Sequence, residues 1–208
     1  MTWNEYIKTN RNRVELTVTV LFLIISLVSL ANFLNFIEAR PGIVLPDPVL
    51  ELFNPVDLTW LTFGLIYFSL LFAVYSLIKK PLQLIFAFQL YTIMVIIRMT
   101  AMYLLPLEPP ENMILLSDPV VEYFGTGRAL TKDLFFSGHT ATLFVLYLVS
   151  ENKQAKHIFL VCTAMVALSV LLQHVHYTID IFAAVFFTYS AFAFLKYLRR
   201  NVKQILFT

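Results

Sequence analysis

The sequence predicts an all-α membrane protein: a bundle of six transmembrane helices forming a single domain over residues 1–208, with both termini in the cytoplasm. Three observations predict it, namely the composition, the spacing of the apolar runs and the side on which the charges fall. Of the 208 residues, 59% are hydrophobic and only 13% charged, against about 25% charged in a soluble domain. The mean hydropathy is +0.77. A chain this apolar cannot make a water-compatible surface, which excludes an ordinary soluble enzyme, a disordered protein and a disulfide-stapled secreted domain. A net charge of +2 supplies no basic footprint for a nucleic-acid partner. The single cysteine, Cys162, lies in an apolar run and has no partner for an intramolecular disulfide, so cysteine usage says nothing about redox compartment.

Six apolar stretches follow one another at about residues 16–37, 58–78, 82–105, 134–150, 158–173 and 177–195, each near the roughly 20 residues that span a hydrocarbon core. The first is too long, and too far from a small-residue cleavage site, to read as a removable signal peptide. The second and third are separated by little more than Lys79-Lys80-Pro81, a turn. The fourth and fifth are the shortest, so their bounds are the softest. The sixth begins just after two histidines and runs into the basic segment Lys196–Arg200. No internal repeat interrupts the series.

Charge placement orients the bundle. With the N-terminus inside, eleven Lys and Arg fall on inner segments and three (Arg40, Arg128, Lys132) on outer loops, while Arg98 lies within a helix. The positive-inside rule then places both termini in the cytoplasm. Nine of the thirteen acids and eight of the nine prolines fall in or at the edge of the two long outer loops, about residues 38–57 and 106–133. Long proline-rich loops on one side of a bundle form a cap or a binding surface; the terse inner turns read as structural.

The ionisable residues near the outer helix ends carry the chemistry. His139 stands in Phe135-Phe136-Ser137-Gly138-His139-Thr140, and His176 opens the sixth span in His176-Tyr177-Thr178-Ile179-Asp180. At spacing i,i+4, His176 and Asp180 share one helical face, so the carboxylate can hold one ring nitrogen and leave the other free as nucleophile or base. A buried structural histidine is the bland alternative for either ring alone. Two histidines and an aspartate at one membrane level fit it poorly, because ionisable groups in membranes are costly and mark function. A metal site is the rival: His174, His176, His139 and Asp180 offer ligands. An i,i+2 pair diverges on a helix, however, and the other spacings match no metal signature, so no metal or other cofactor is expected.

Ser137-Gly138-His139-Thr140 followed by His176-Tyr177-Thr178-Ile179-Asp180 resembles the sphingomyelin synthase family, a branch of the type-2 phosphatidic acid phosphatase superfamily. Pro46-Asp47, the segment Arg98-Met99-Thr100-Ala101-Met102-Tyr103 with Leu105-Pro106, and Asp133 ahead of His139 are similar to further family segments, in the right order over about residues 40–190. The wider superfamily carries Pro before Ser-Gly-His and Ser-Arg ahead of the second histidine. Here Phe136 and Ser169-Val170 stand in those places, which favours the sphingomyelin synthase branch over a plain lipid phosphatase.

The resemblance implies a phosphohistidine route: His176 as nucleophile, Asp180 holding its other nitrogen, and His139 as general acid and then base. Substrate-binding candidates are Arg98, Arg128 and Lys132, the backbone at Ser137 and Gly138, and Asp133 and Tyr177. Around a choline or ethanolamine head group, Tyr103, Tyr123, Phe124, Phe135, Phe136 and Tyr177 lie at the right level for cation–π contact, although interfacial solvation places aromatics there too. The expected activity moves a phospho-head group from a glycerophospholipid to a ceramide-like alcohol; water as acceptor would give a phospholipase C-like or lipid phosphatase hydrolase on the same residues. A lipid transporter with a proton relay is the remote alternative. The expected partners are therefore membrane lipids. The site should face the non-cytoplasmic side, periplasmic in a bacterium, lumenal or extracellular in a eukaryote.

Overall fold

Helices form where the apolar runs meet a start signal. The computed structural model describes residues 1–117 and 130–205, with side chains as far as residue 200. Thr2 opens a short helix α1, Trp3–Tyr6, through a reciprocal capping box with Glu5. Helix α2 runs Asn10–Glu38, α3 Thr59–Leu77 and α4 Pro81–Leu104. Pro81 sits at the start of α4, where a missing N–H costs no hydrogen bond. Helix α5 is Gly138–Val149 and α6 is Lys153–Leu172, whose first amides are accepted by the Asn152 side chain. Helix α7 is Thr178–Ile205. Among the described residues there is no strand, only an isolated bridge between Ile43 and Leu107.

Five of these helices (α2, α3, α4, α6 and α7) are long and apolar enough to cross a membrane. The fourth expected span differs. Residues 134–150 read as one apolar run, but the helix within it is the twelve-residue α5, about 18 Å long against a hydrocarbon core of about 30 Å. The lead-in is not helical: Phe135 has φ 67°, and Ser137 caps α5 by accepting from the Thr140 N–H. Hydropathy counted Leu134 and Phe136 as span because they are apolar; the structure buries both in the non-helical lead-in, and being apolar is a different property from being helical. The short helix is the hub of the bundle, in contact with α3, α4, α6 and α7, and Ala141, Leu143 and Val145 are sealed from outside. A helix walled by other helices has little lipid to meet and so does not need a full span's length.

Helix α2 is the opposite case. It buries one narrow stripe (Thr19, Ser26, Leu30, Leu34 and Ile37) and packs chiefly on α4. It makes little contact with α3, and the space left between them is backed by α4 and α5.

The two ends of the bundle are held differently. At one end Arg199 of α7 pairs with Glu15 of α2, and Trp3 Nε1 donates to the Ile78 carbonyl at the α3–α4 turn, so both ends of the chain meet there. At the other end the long loops are bonded to one another. Ile43 donates to the Pro106 carbonyl and accepts from Glu108 N–H, and Gly42 sits so close that a Cβ would lie 2.6 Å from the Leu107 carbonyl carbon. Glu38 accepts from the N–H groups of Thr131 and Lys132, each at 3.0 Å.

Candidate active site

The two histidine motifs meet at the long-loop end. Helix α6 stops at Leu172, and the chain reverses over Gln173–Tyr177 before α7 begins. His174 takes φ 56°, the left-handed turn that ends many helices, with its N–H on the Leu171 carbonyl and that of Val175 on the Val170 carbonyl. The Gln173 side chain accepts from Leu58 N–H and donates to Thr59 Oγ1, fixing the reversal against the start of α3. His176 therefore precedes α7 and is not part of it. The i,i+4 pairing with Asp180 forms nevertheless, as a helix cap in place of the expected shared helical face. Asp180 is the third residue of α7, and its Oδ2 reaches back to accept from the Tyr177 N–H at 3.1 Å and from His176 Nδ1 at 3.0 Å. A carboxylate can only accept, so Nδ1 is the donor in this bond, and the neutral form of the ring keeps its lone pair on Nε2. Both side chains are sealed, at 1% and 0% exposure, and Asp180 Oδ1 has no hydrogen-bond partner among the described residues.

His139 lies in the first turn of α5, with its ring 6.2 Å from that of His176, centroid to centroid, and inclined at 62°. The Ser137 N–H donates to the Asp180 carbonyl, which ties the start of α5 to the first turn of α7 and keeps the two rings together. Arg98 arrives from α4. Its Nε donates to the Phe136 carbonyl at 3.0 Å and its Nη2 pairs with Asp133. The guanidinium lies flat against Gly138, where a Cβ would come within 2.7 Å of Cζ. Close approach, not a special backbone angle, is therefore what demands glycine in Ser-Gly-His. These two bonds use two of the five guanidinium N–H donors, leaving the others to a further acceptor.

Arg98, Asp133, Gly138, His139 and His176 line one end of a cavity of about 820 Å³. The other candidates lie elsewhere. Lys132 turns into the loops, donating to Glu108 at 2.7 Å and to the Arg40 carbonyl. That bond holds the Glu108 carboxyl below the usual carboxylate range. The buried Tyr177 joins three loop segments, its hydroxyl donating to the Glu108 carbonyl and accepting from Leu45 N–H. Ser137 is spent on its cap and on Asp180. Arg128 falls outside the described residues, as do Tyr123 and Phe124. His174 packs edge-on against Phe53, with Nδ1 3.4 Å from the Glu111 carbonyl oxygen. Among the described residues, no three His, Cys, Asp or Glu gather as a metal site. Ser169 pairs with Thr62 in the buried α3–α6 contact, away from the cavity.

Sequence reasoning assigned no role to Asp47, yet its carboxylate accepts from both the N–H and the hydroxyl of Thr178. It caps α7 from 131 residues away. The Pro46-Asp47 pair was the available signal.

Residues 132–198 match the family model described as PAP2 superfamily C-terminal. The match covers about a third of the chain and holds His139, His176 and Asp180, while Arg98 lies outside it. It supports the type-2 phosphatidic acid phosphatase superfamily and, with it, an enzyme of the lipid phosphatase or phosphotransferase type, set in a membrane. No curated protein and no solved structure matches the chain.

Proposed function

We propose that the chain is an integral-membrane phosphotransferase, carrying a phosphocholine or phosphoethanolamine group from a glycerophospholipid to a ceramide-like alcohol, as its resemblance to the sphingomyelin synthase branch implies. One observation carries the reading: a sealed His176–Asp180 pair and His139 stand together at the polar end of an otherwise apolar cavity. In the first step His176 Nε2 attacks the phosphorus. The bond from phosphorus to the diacylglycerol oxygen breaks, and His139 gives its proton to that oxygen. In the second step the acceptor hydroxyl loses its proton to His139 and attacks the phosphorus, and the bond to Nε2 breaks. Asp180 holds the Nδ1 proton throughout and offsets the positive charge that the ring gains. Arg98, braced by Asp133 and Phe136, offers its remaining donors to the phosphate oxygens.

In this reading six helices cross the membrane as one domain, with the short α5 shielded inside. The ends of the chain lie in the cytoplasm, and the site opens to the non-cytoplasmic side. The superfamily match supports a second reading equally well, in which water takes the place of the alcohol and the product is a free phospho-head group or phosphate.

The test is to incubate purified protein with labelled phosphatidylcholine or phosphatidylethanolamine, with and without ceramide, and to identify the products. Labelled phosphosphingolipid that rises with ceramide is the expected result. A ratio of transferred to hydrolysed head group that stays at zero under saturating ceramide would leave only the hydrolase. No turnover of these donors or of phosphatidic acid would remove both readings.

A further inference from the structure

Below the histidines the cavity is much larger than a phosphate needs. It continues from Arg98 and His139 down the bundle as far as Ile78, just past the end of α3, and Leu84 on α4. Leu84 stands fourteen residues before Arg98, about 21 Å along the helix, which is deeper than one leaflet of a hydrocarbon core about 30 Å thick. The charged lining is confined to the upper end. Partway down, the walls carry the small side chains of Ala73 and Ala87, both buried. Leu27 of α2 and Leu70 of α3 also line the cavity, yet they are 41% and 39% exposed. The slot therefore opens sideways between α2 and α3, along the apolar flank of the bundle.

We infer that this slot holds one acyl chain of the lipid whose phosphoester lies at His139 and His176, and that Ala73, Ala87, Ile78 and Leu84 set the chain length accepted. The inference rests on the proposed lipid chemistry and adds a specificity that this chemistry does not supply. Continuity decides the occupant. A water-soluble phosphoester would leave the slot unfilled, and a peptide would bury backbone amides among side chains that offer them no partner. A hydrocarbon tail tied to a phosphate satisfies both ends at once.

Two opposed substitutions and one probe test it. With a mixed pool of phosphatidylcholines of graded tail length, Ala87→Leu should shift turnover toward shorter tails and Leu84→Ala toward longer ones. Each should change the long-to-short ratio by about tenfold, the discrimination a hydrophobic pocket gives for one or two methylenes. Phosphatidylcholine carrying a diazirine at the end of its tail should, on illumination, label the peptides around Ile78 and Leu84. Should Ala87→Leu fail to fold, Leu84→Ala and the photolabel carry the test. Turnover with unshifted tail preference, or label confined to the outer faces of α6 and α7, overturns the slot and leaves the chemistry standing. Label at Ile78 and Leu84 without any turnover overturns the chemistry and leaves the slot standing.

Discussion

The two ends of the bundle are built from the same residue types and use them in opposite ways. At the end where the chain termini meet, Glu15 accepts from the Tyr6 hydroxyl at 2.9 Å, from Arg199 at 2.5 Å and from Gln89 at 3.3 Å. Gln89 in turn donates to Thr19 and accepts from Arg199 Nε, and the Arg199 guanidinium lies over the Phe86 ring. Both oxygens of Glu15 and the whole Gln89 amide are paired there, and the ion pair is partly exposed, so that solvent can take the remaining donors of Arg199. At the long-loop end His176, Asp180 and Arg98 are more than nine-tenths buried, an oxygen of Asp180 has no hydrogen-bond partner among the described residues, and Arg98 has donors to spare. A buried polar group left incomplete costs stability, whereas a completed network is nearly neutral or favourable. The terminal end thus reads as a clasp for α1, α2, α4 and α7. The other end holds polar capacity in reserve for a ligand.

The comparison predicts that substitutions at the long-loop end act on turnover and those at the clasp act on stability. The largest effect is expected from His176→Ala and His139→Ala. Each should lower head-group release by a factor of about 10³ or more with little change in thermal unfolding. Wild-type rates in His176→Ala would remove the phosphohistidine route.

Asp180→Asn should act less severely, because the residue orients the ring without reacting. A loss of about 10²–10⁴ in kcat is expected from disturbing the tautomer, with residual turnover measurable in single-turnover assays. An Asp180→Asn enzyme as dead as His176→Ala would make Asp180 more than a positioning residue.

Glu15→Gln tests the clasp. It removes the negative charge that faces Arg199 and replaces one of the two oxygens that accept from Tyr6, Gln89 and Arg199 by an NH2 donor, and should lower stability in detergent by about 1–2 kcal/mol while turnover per folded molecule stays unchanged. A large loss of turnover with stability intact would break the contrast between the two ends.

The smallest effect concerns Tyr6, whose hydroxyl is pushed up to about 12 by burial and by its bond to Glu15. A group whose acidity is suppressed by folding contributes stability that is complete below its unfolded value, about 10, and is lost as pH rises toward the folded value. The difference in thermal stability between wild type and Tyr6→Phe should therefore be constant up to about pH 10 and shrink between there and 12. A difference that shrinks on the acid side would place its origin in Glu15.

The sequence by itself determined that the chain is helical and membrane-bound, because apolar runs of span length and scarce charge leave no other solvent for it. It determined the pairing of His176 with Asp180 as well, since i,i+4 spacing brings side chains together whether the turn is a helix or its cap. What it could not weigh was competition among polar partners. Lys132, Tyr177, Asp133 and Arg98 all looked available for a substrate. Packing spends Lys132 on Glu108 and Tyr177 on two loop backbones, while Asp133 braces Arg98 against Gly138. Tertiary structure alone decided that a twelve-residue helix could serve at the centre, because its neighbours replace the lipid it would otherwise face. It decided also that α2 stands off from α3, leaving the long apolar slot beneath the histidines. Hydropathy reports how much of each helix avoids water. The gap between two such helices depends on which faces meet, and the side chains that decide it lie far apart in the chain.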